Sequence, residues 1–234
     1  LNGERAAGTR TGLADALIVF VRDPVPGAVK TRLASELTPR DAAELYRAMA
    51  EDVVGELAAG ERYDTIVFFS PPDARRRIET WLGVDLALEP QRGGDVGARM
   101  ASALAWAFDA GYERAIIVGS DCPLVEAADV ESAFEELRSC DVVLGPSEDG
   151  GYYLIGASSV PEGIFEGMPW GEERVLAETV RRLERSGLAY RLVTRRFDVD
   201  RVHDVRRLLR ACGDGSSRVF PRRTMQVLVG MYGE

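Results

Sequence analysis

Three short stretches of the chain hold the side chains most suited to polyphosphate chemistry. RDPVPGAVKTRL contains Arg22, Gly27, Lys30 and Arg32. Gly27 lets backbone N–H groups approach a phosphate, while Lys30 offers a compact charge and Arg32 a forked one. Only two residues separate Gly27 from Lys30, so this is not a Walker loop, and a plain surface turn is the competing reading. GSDCP presents Asp121, a candidate ligand for Mg²⁺ shared with phosphate oxygens, or alternatively the cap of a following helix. Cys122 beside it lacks an evident base. FDVD sets Asp198 and Asp200 at alternate positions, which in an extended segment face the same side. If these meet Asp121, each pair of like charges about 4 Å apart repels by roughly 4 kcal/mol at an effective dielectric near 20. A divalent cation (Mg²⁺ or Mn²⁺) relieves that conflict. The competing reading makes Asp200 a helix cap and leaves Asp198 unexplained.

Two further loops look shaped for ligands. In QRGGDVGARM, three glycines precede a helical pattern whose N-terminus favours anions; Gln91, Gly94 and Arg99 are the nucleotide-binding candidates there. In GPSEDGGYYLIG, Asp149, Gly150 and Gly151 form either the acceptor side of a site, with Asp149 as a base, or simply a hairpin turn. Trp170, between Pro169 and Gly171, is a packing plug or a wall of an acceptor pocket. His203 reads as structural or solvated. Lys30 is the single lysine among 29 basic residues, which raises the question of whether a compact ammonium is needed there.

The elements that must position these loops follow from the apolar pattern. Residues 16–21 (ALIVFV), 65–69, 84–88, 115–118, 141–144, 152–155 and 190–197 read as strands. Residues 39–57, 73–82, 129–138, 172–186 and 202–211 read as helices, as does the segment from the Gly-rich loop to 110. Thr38 followed by Pro39 marks the start of the first helix. The Arg pairs of 206–223 read as a basic helix face near a flexible end. Strands alternating with helices predict a mostly parallel sheet covered on both faces, and ligands in such sheets bind beyond the carboxyl ends of the strands. All five loops should face that one edge. Residues 1–15 are expected to form a disordered tail, and 16–234 a single α/β domain.

Composition narrows the function. A formal charge of −9 excludes a global nucleic-acid footprint, so any polyanion must be met locally. No run of apolar residues suffices for a membrane span, and the first fifteen residues lack the apolar stretch of a secretory signal. Three widely spaced cysteines without a CxxC argue against a disulfide framework and a thiolate metal site, which points to the cytoplasm. One histidine leaves little room for Ser-His or Cys-His catalysis.

In this order, PVPGAVKTRL, QRGGDVGARM, GSDCPL, EDGGYYLIG, PWGEERVL and FDVDRVHDV resemble the bacterial DUF2064 family across about residues 16–210. Members are labelled as glycosyltransferases or nucleotide-diphospho-sugar transferases and are similar to phospholactate guanylyltransferases. The resemblance implies a three-layer αβα GT-A-like fold with a mostly parallel mixed sheet. It implies that Arg22, Lys30 and Arg32 contact phosphates, that Asp121, Asp198 and Asp200 hold divalent metal, and that Asp149, Gly150 and Gly151 shape the acceptor side. Two departures stand out. Trp170 is followed by Gly171 and Glu172 where Ser and Thr are usual, and the first loop lacks the GGxSxRMG form of pyrophosphorylases. The expected activity is transfer from a nucleotide or nucleotide-sugar donor to a small acceptor. Nucleotidyl transfer to a phosphate or carboxylate, and non-catalytic nucleotide binding, are the alternatives.

Overall fold

A computed structural model describes residues 12–83, 85–213 and 218–232. The elements run β1 (Asp15–Arg22), α1 (Pro39–Ala58), β2 (Asp64–Ser70), α2 (Arg75–Leu82), β3 (Ala87–Pro90), α3 (Val96–Asp109), β4 (Arg114–Gly119), α4 (Ala127–Glu136), β5 (Val142–Pro146), β6 (Tyr152–Ala157), α5 (Val175–Arg185), β7 (Tyr190–Leu192), α6 (Val202–Gly213) and α7 (Arg222–Tyr232). The strands form one sheet in the order β3-β2-β1-β4-β6-β5-β7. Only β6 runs against its neighbours, so the expected mixed, mostly parallel sheet is what forms.

Period-two alternation divides the core. Leu17, Val19, Val21, Val67 and Phe69 point to the face covered by α1, α2 and α4, where they meet Val53, Leu57, Ile78 and Val130. Ile18, Ile66, Phe68, Ile117 and Ile155 point the other way, onto Met100, Leu104 and Ala107 of α3 and Leu183 of α5. Strands buried on both faces read as continuous apolar runs, as 16–21 does. A third cluster lies at the carboxyl edge of the sheet, where Val29, Leu33, Leu124 and Val199 pack among Leu45 and Met49 of α1, Val205 and Leu208 of α6, and Leu228 of α7.

Several expected boundaries shift. Residues 1–11 of the expected tail lie outside the described residues, and Asp15 already belongs to β1. Its carboxylate accepts from Arg114 Nε at 2.6 Å, across a register that pairs the two residues. The strand expected over 84–88 forms at β3, nearer the Gly-rich loop. The edge strand expected over 190–197 ends at Leu192. Past it, Val193 N still donates to Leu144 O, and the next pairing with the β5 side is the isolated Ser147–Arg196 bridge. Helix α7 falls where a flexible end was expected. Its N-terminus is capped by Asp52 of α1, which accepts from Arg223 N at 3.1 Å and from Thr224 N at 2.8 Å. A cap supplied from 171 and 172 residues away in the chain leaves no local start signal.

Candidate functional site

The five loops do gather at one edge, because β1, β2, β3, β4, β5 and β7 are parallel to one another through the sheet. What seats the three loops that carry Lys30, Asp121 and FDVD is the third apolar cluster. These three send buried neighbours into it: Val29 beside Lys30, Leu124 close after Asp121, and Val199 between Asp198 and Asp200. Burying Val199 completely forces the two flanking carboxylates to the opposite side. Val199 N then donates to Asp121 O at 2.9 Å, tying the FDVD and GSDCP loops together.

Lys30 is the centre of the arrangement. Its Nζ lies 3.1 Å from Asp121 Oδ2 and 2.5 Å from Asp200 Oδ1, with only 6% of the side chain exposed. Burial alone would lower its pKa, but Asp121 and Asp200 outweigh that and hold the ammonium above its ordinary range. The backbone of Lys30 is in the left-handed region at φ 47°, uncommon for a residue with a Cβ. Its carbonyl accepts from Leu33 N and Ala34 N, which keeps the turn closed. Arg32 Nη1 reaches Asp200 Oδ2 at 3.4 Å from a more exposed position.

The other carboxylates fare differently. Burial would raise the Asp200 pKa, but Lys30 and Arg32 bring it below its ordinary value. Asp198 accepts from Ser147 Oγ at 2.7 Å through Oδ2, while its buried Oδ1 has no partner. Burial and the negative charge of Asp121 push its pKa up to about 8, with Ser147 and Lys30 opposing and Asp149 adding to the rise. The competing roles fall away. Helix α4 is capped by the reciprocal Glu126 and Asp129 pair, not by Asp121. At α6, Asp204 rather than Asp200 accepts from Asp200 N and Arg201 N. Cys122 is buried, and burial with Asp198 and Asp121 nearby pushes its thiol well up, which removes it as a nucleophile. His203 is exposed and lies 3.0 Å from Asp204 Oδ1.

Among the described residues, no three acidic, histidine or cysteine side chains stand close enough to enclose a metal ion. Mg²⁺ rarely asks for that: one or two carboxylates plus phosphate oxygens are its usual set. The unpartnered Asp198 Oδ1, with Asp121 close by, fits such a cation. Asp200, committed to Lys30 and Arg32, fits it less well.

The remaining candidates have partners of their own. Asp149 accepts from Gly151 N at 2.9 Å, and the stretch from 149 to 151 is indeed a hairpin connection between β5 and β6. Gly150 has φ +88°, and a Cβ there would collide with the Glu173 carbonyl. Gly27 and Gly94 are exposed, with open space where a Cβ would stand. The Arg22 side chain is exposed, while its backbone N donates to the buried Tyr46 hydroxyl at 2.7 Å. Gln91 is buried, and its Nε2 donates to Val21 O and Phe68 O, so both donors brace the ends of β1 and β2. Arg99 folds back on Gly93 O at 3.3 Å and does not join the carboxylates. Trp170 packs as a plug: a Cβ on Gly97 would meet its ring at 2.5 Å, and Tyr152 and Phe165 flank it.

Sequence reasoning missed several residues that hold the site. Ser147 begins the very loop singled out, so its hydroxyl was a readable signal. Tyr46, whose hydroxyl lies 2.9 Å from Ser120 Oγ, sits inside a helix and offers none. Arg196, two residues before Asp198, pairs with Asp129 and Glu126 at 2.8 Å and anchors that segment to α4. Arg207 pairs with Glu148 and lies 4.1 Å over the Phe197 ring, linking α6 to both acidic loops.

A mixed, mostly parallel α/β sheet with helices on both faces is the architecture of the nucleotidyltransferase and GT-A-like folds. A structure from Desulfovibrio desulfuricans G20, provisionally described as a nucleotide-diphospho-sugar transferase, superposes with a TM-score of 0.85 at 34% identity, covering 92% of this chain and 94% of that one. The family profile described as "Uncharacterized protein conserved in bacteria (DUF2064)" matches residues 53–172, about half of the chain. The chain belongs to the DUF2064 family. It is also 31% identical to a 3-phospho-D-glycerate guanylyltransferase of Phenylobacterium zucineum, over 85% of this chain and 89% of that protein. A 2-phospho-L-lactate guanylyltransferase of Methanothermobacter thermautotrophicus is 31% identical over 122 residues, so the match spans about half of each protein (52% and 53%). No helix among the described residues is long and apolar enough to cross a membrane.

Proposed function

We propose that this protein is a divalent-metal-dependent nucleotidyltransferase that moves a nucleoside monophosphate from a triphosphate donor to a small phosphorylated or carboxylated acceptor. The observation that carries the reading is the convergence of Asp121 and Asp200 on the buried Lys30 ammonium at the carboxyl edge of the sheet. Asp121 and Asp198 would hold Mg²⁺ or Mn²⁺, which when bound neutralises charge on the donor phosphates. Lys30, steadied by Asp200, and Arg32 meet the negative charge that grows on the departing pyrophosphate. Arg22 and the open backbone at Gly27 and Gly94 would line the phosphate path. An acceptor oxygen attacks the α-phosphorus, the α–β bridging bond breaks and pyrophosphate leaves. An acceptor already ionised gives up no proton, so the step needs no base. That agrees with Asp149, whose Oδ1 is engaged by its own turn. A cytoplasmic setting belongs to the same reading, in keeping with three widely spaced cysteines and no CxxC.

The names of the two guanylyltransferase relatives make GTP with 3-phospho-D-glycerate or 2-phospho-L-lactate the first pairs to test. The expected result is Mg²⁺-dependent release of pyrophosphate, lowered by Asp121→Asn on the order of 10²–10³-fold. Equal turnover in Asp121→Asn would refute the assignment of that residue. Sugar transfer is the second reading, favoured by the Desulfovibrio structure; it would release a nucleoside diphosphate and give Asp149 the part of base. Ligand-induced thermal shifts with no turnover on any of these donors would instead mark a binding protein.

A further inference from the structure

We infer that Lys30 holds the place of the metal's charge in the ligand-free protein, so that a divalent cation binds well only together with the polyphosphate that draws Lys30 away from Asp121. This rests on the assignment of Asp121 as a metal ligand made above and adds an order of events to it. The ammonium contacts Asp121 through Oδ2, at 3.1 Å, and Asp200 through Oδ1, at 2.5 Å. Its exposure of 6% leaves it no water shell to retreat into. The backbone fixes this placement: Lys30 is held left-handed by the turn its own carbonyl closes, and Val29 is buried beneath it. A side chain held this way stays on Asp121 until a better anion arrives.

The energetic logic is a competition of charges. A cation approaching Asp121 meets a neighbouring positive charge already sharing that carboxylate, held 3.1 Å from it by a side chain that is itself buried. The negative oxygens of a polyphosphate remove the conflict by giving Lys30 a new partner, while Asp200 remains as its anchor. Metal and phosphate therefore bind with positive coupling, and by linkage each raises the affinity for the other by the same factor.

The chain's single lysine makes the test direct. Binding of Mn²⁺ alone is followed by electron paramagnetic resonance for wild type, Lys30→Gln and Asp121→Asn. The inference expects Lys30→Gln to bind Mn²⁺ at least tenfold more tightly than wild type and Asp121→Asn to bind it no better. In parallel, protein labelled with ¹⁵N-lysine gives one side-chain ammonium signal, which should stay in place with Mg²⁺ alone and move with Mg²⁺ plus tripolyphosphate. Equal Mn²⁺ affinity in wild type and Lys30→Gln, with binding lost in Asp121→Asn, overturns the inference and leaves the metal assignment standing. Should Lys30→Gln fail to fold, a wild-type signal that moves with Mg²⁺ alone overturns it equally. If Lys30→Gln binds no Mn²⁺ and the wild-type signal ignores Mg²⁺ plus tripolyphosphate, the proposed metal and phosphate site itself falls, and this inference with it.

Discussion

Gly150 and Gly151 are neighbours in one hairpin, yet the same substitution should have unlike consequences at the two. At Gly150 the backbone has φ +88°, where an alanine costs about 1–2 kcal/mol by itself. The added Cβ would also collide with backbone atoms of Glu173, in the segment that leads into α5, and backbone cannot rotate aside as a side chain can. Leu176 N donates to Gly150 O at 2.9 Å, so relieving the collision means parting the hairpin from α5. Losing that hydrogen bond adds about 1 kcal/mol. Together these put Gly150→Ala at about 3 kcal/mol or more. For a domain of this size that is a fall in Tm of roughly 6–12 °C. At Gly151 a Cβ would stand 3.2 Å from Asp149 Oδ1, the far end of a flexible side chain, and φ is not in the left-handed region. Gly151→Ala should cost less than about 1 kcal/mol. Differential scanning calorimetry of the two variants beside wild type decides the matter. Equal Tm values for Gly150→Ala and Gly151→Ala would refute the claim that the hairpin is locked against α5.

Two other perturbations probe the frame around the site. Arg196→Met leaves buried Asp129 and half-buried Glu126 without their cation and should destabilise by about 3 kcal/mol in urea denaturation; a change under about 1 kcal/mol would remove Arg196 as the anchor of the Asp198 segment. Burial, aided by Glu131 and Glu56, pushes the Tyr63 hydroxyl up to about 12, against about 10 in an unfolded chain. The folded state therefore keeps its proton where the unfolded state releases one. Stability should fall as pH rises from about 10 to 12, by up to about 3 kcal/mol, and Tyr63→Phe should flatten that decline in pH-dependent denaturation curves.

Much of this protein was legible in its sequence because the signals are local. The apolar runs at 16–21 and 65–69 declare buried strands, and Thr38 declares the start of α1, where its hydroxyl accepts from Asp41 N. Loops placed directly after parallel strands must reach one edge, so the grouping of Lys30, Asp121 and FDVD followed from chain order and topology alone. The extended alternation of Asp198, Val199 and Asp200 gave both carboxylates one side. Tertiary structure decided how charge is divided there. Asp200 goes to Lys30 while Asp198 is left with an unpartnered oxygen, because packing of Val29, Leu124 and Val199 sets distances of a few ångströms that no spacing in the chain records. The same holds for Gln91, whose donors are spent on strand carbonyls, and for α7, capped by Asp52 of a distant helix. Residue type and local periodicity fix which groups can ionise and which face they take; the partner each one finds depends on contacts between segments remote in sequence, and for buried charges that partner sets the energy.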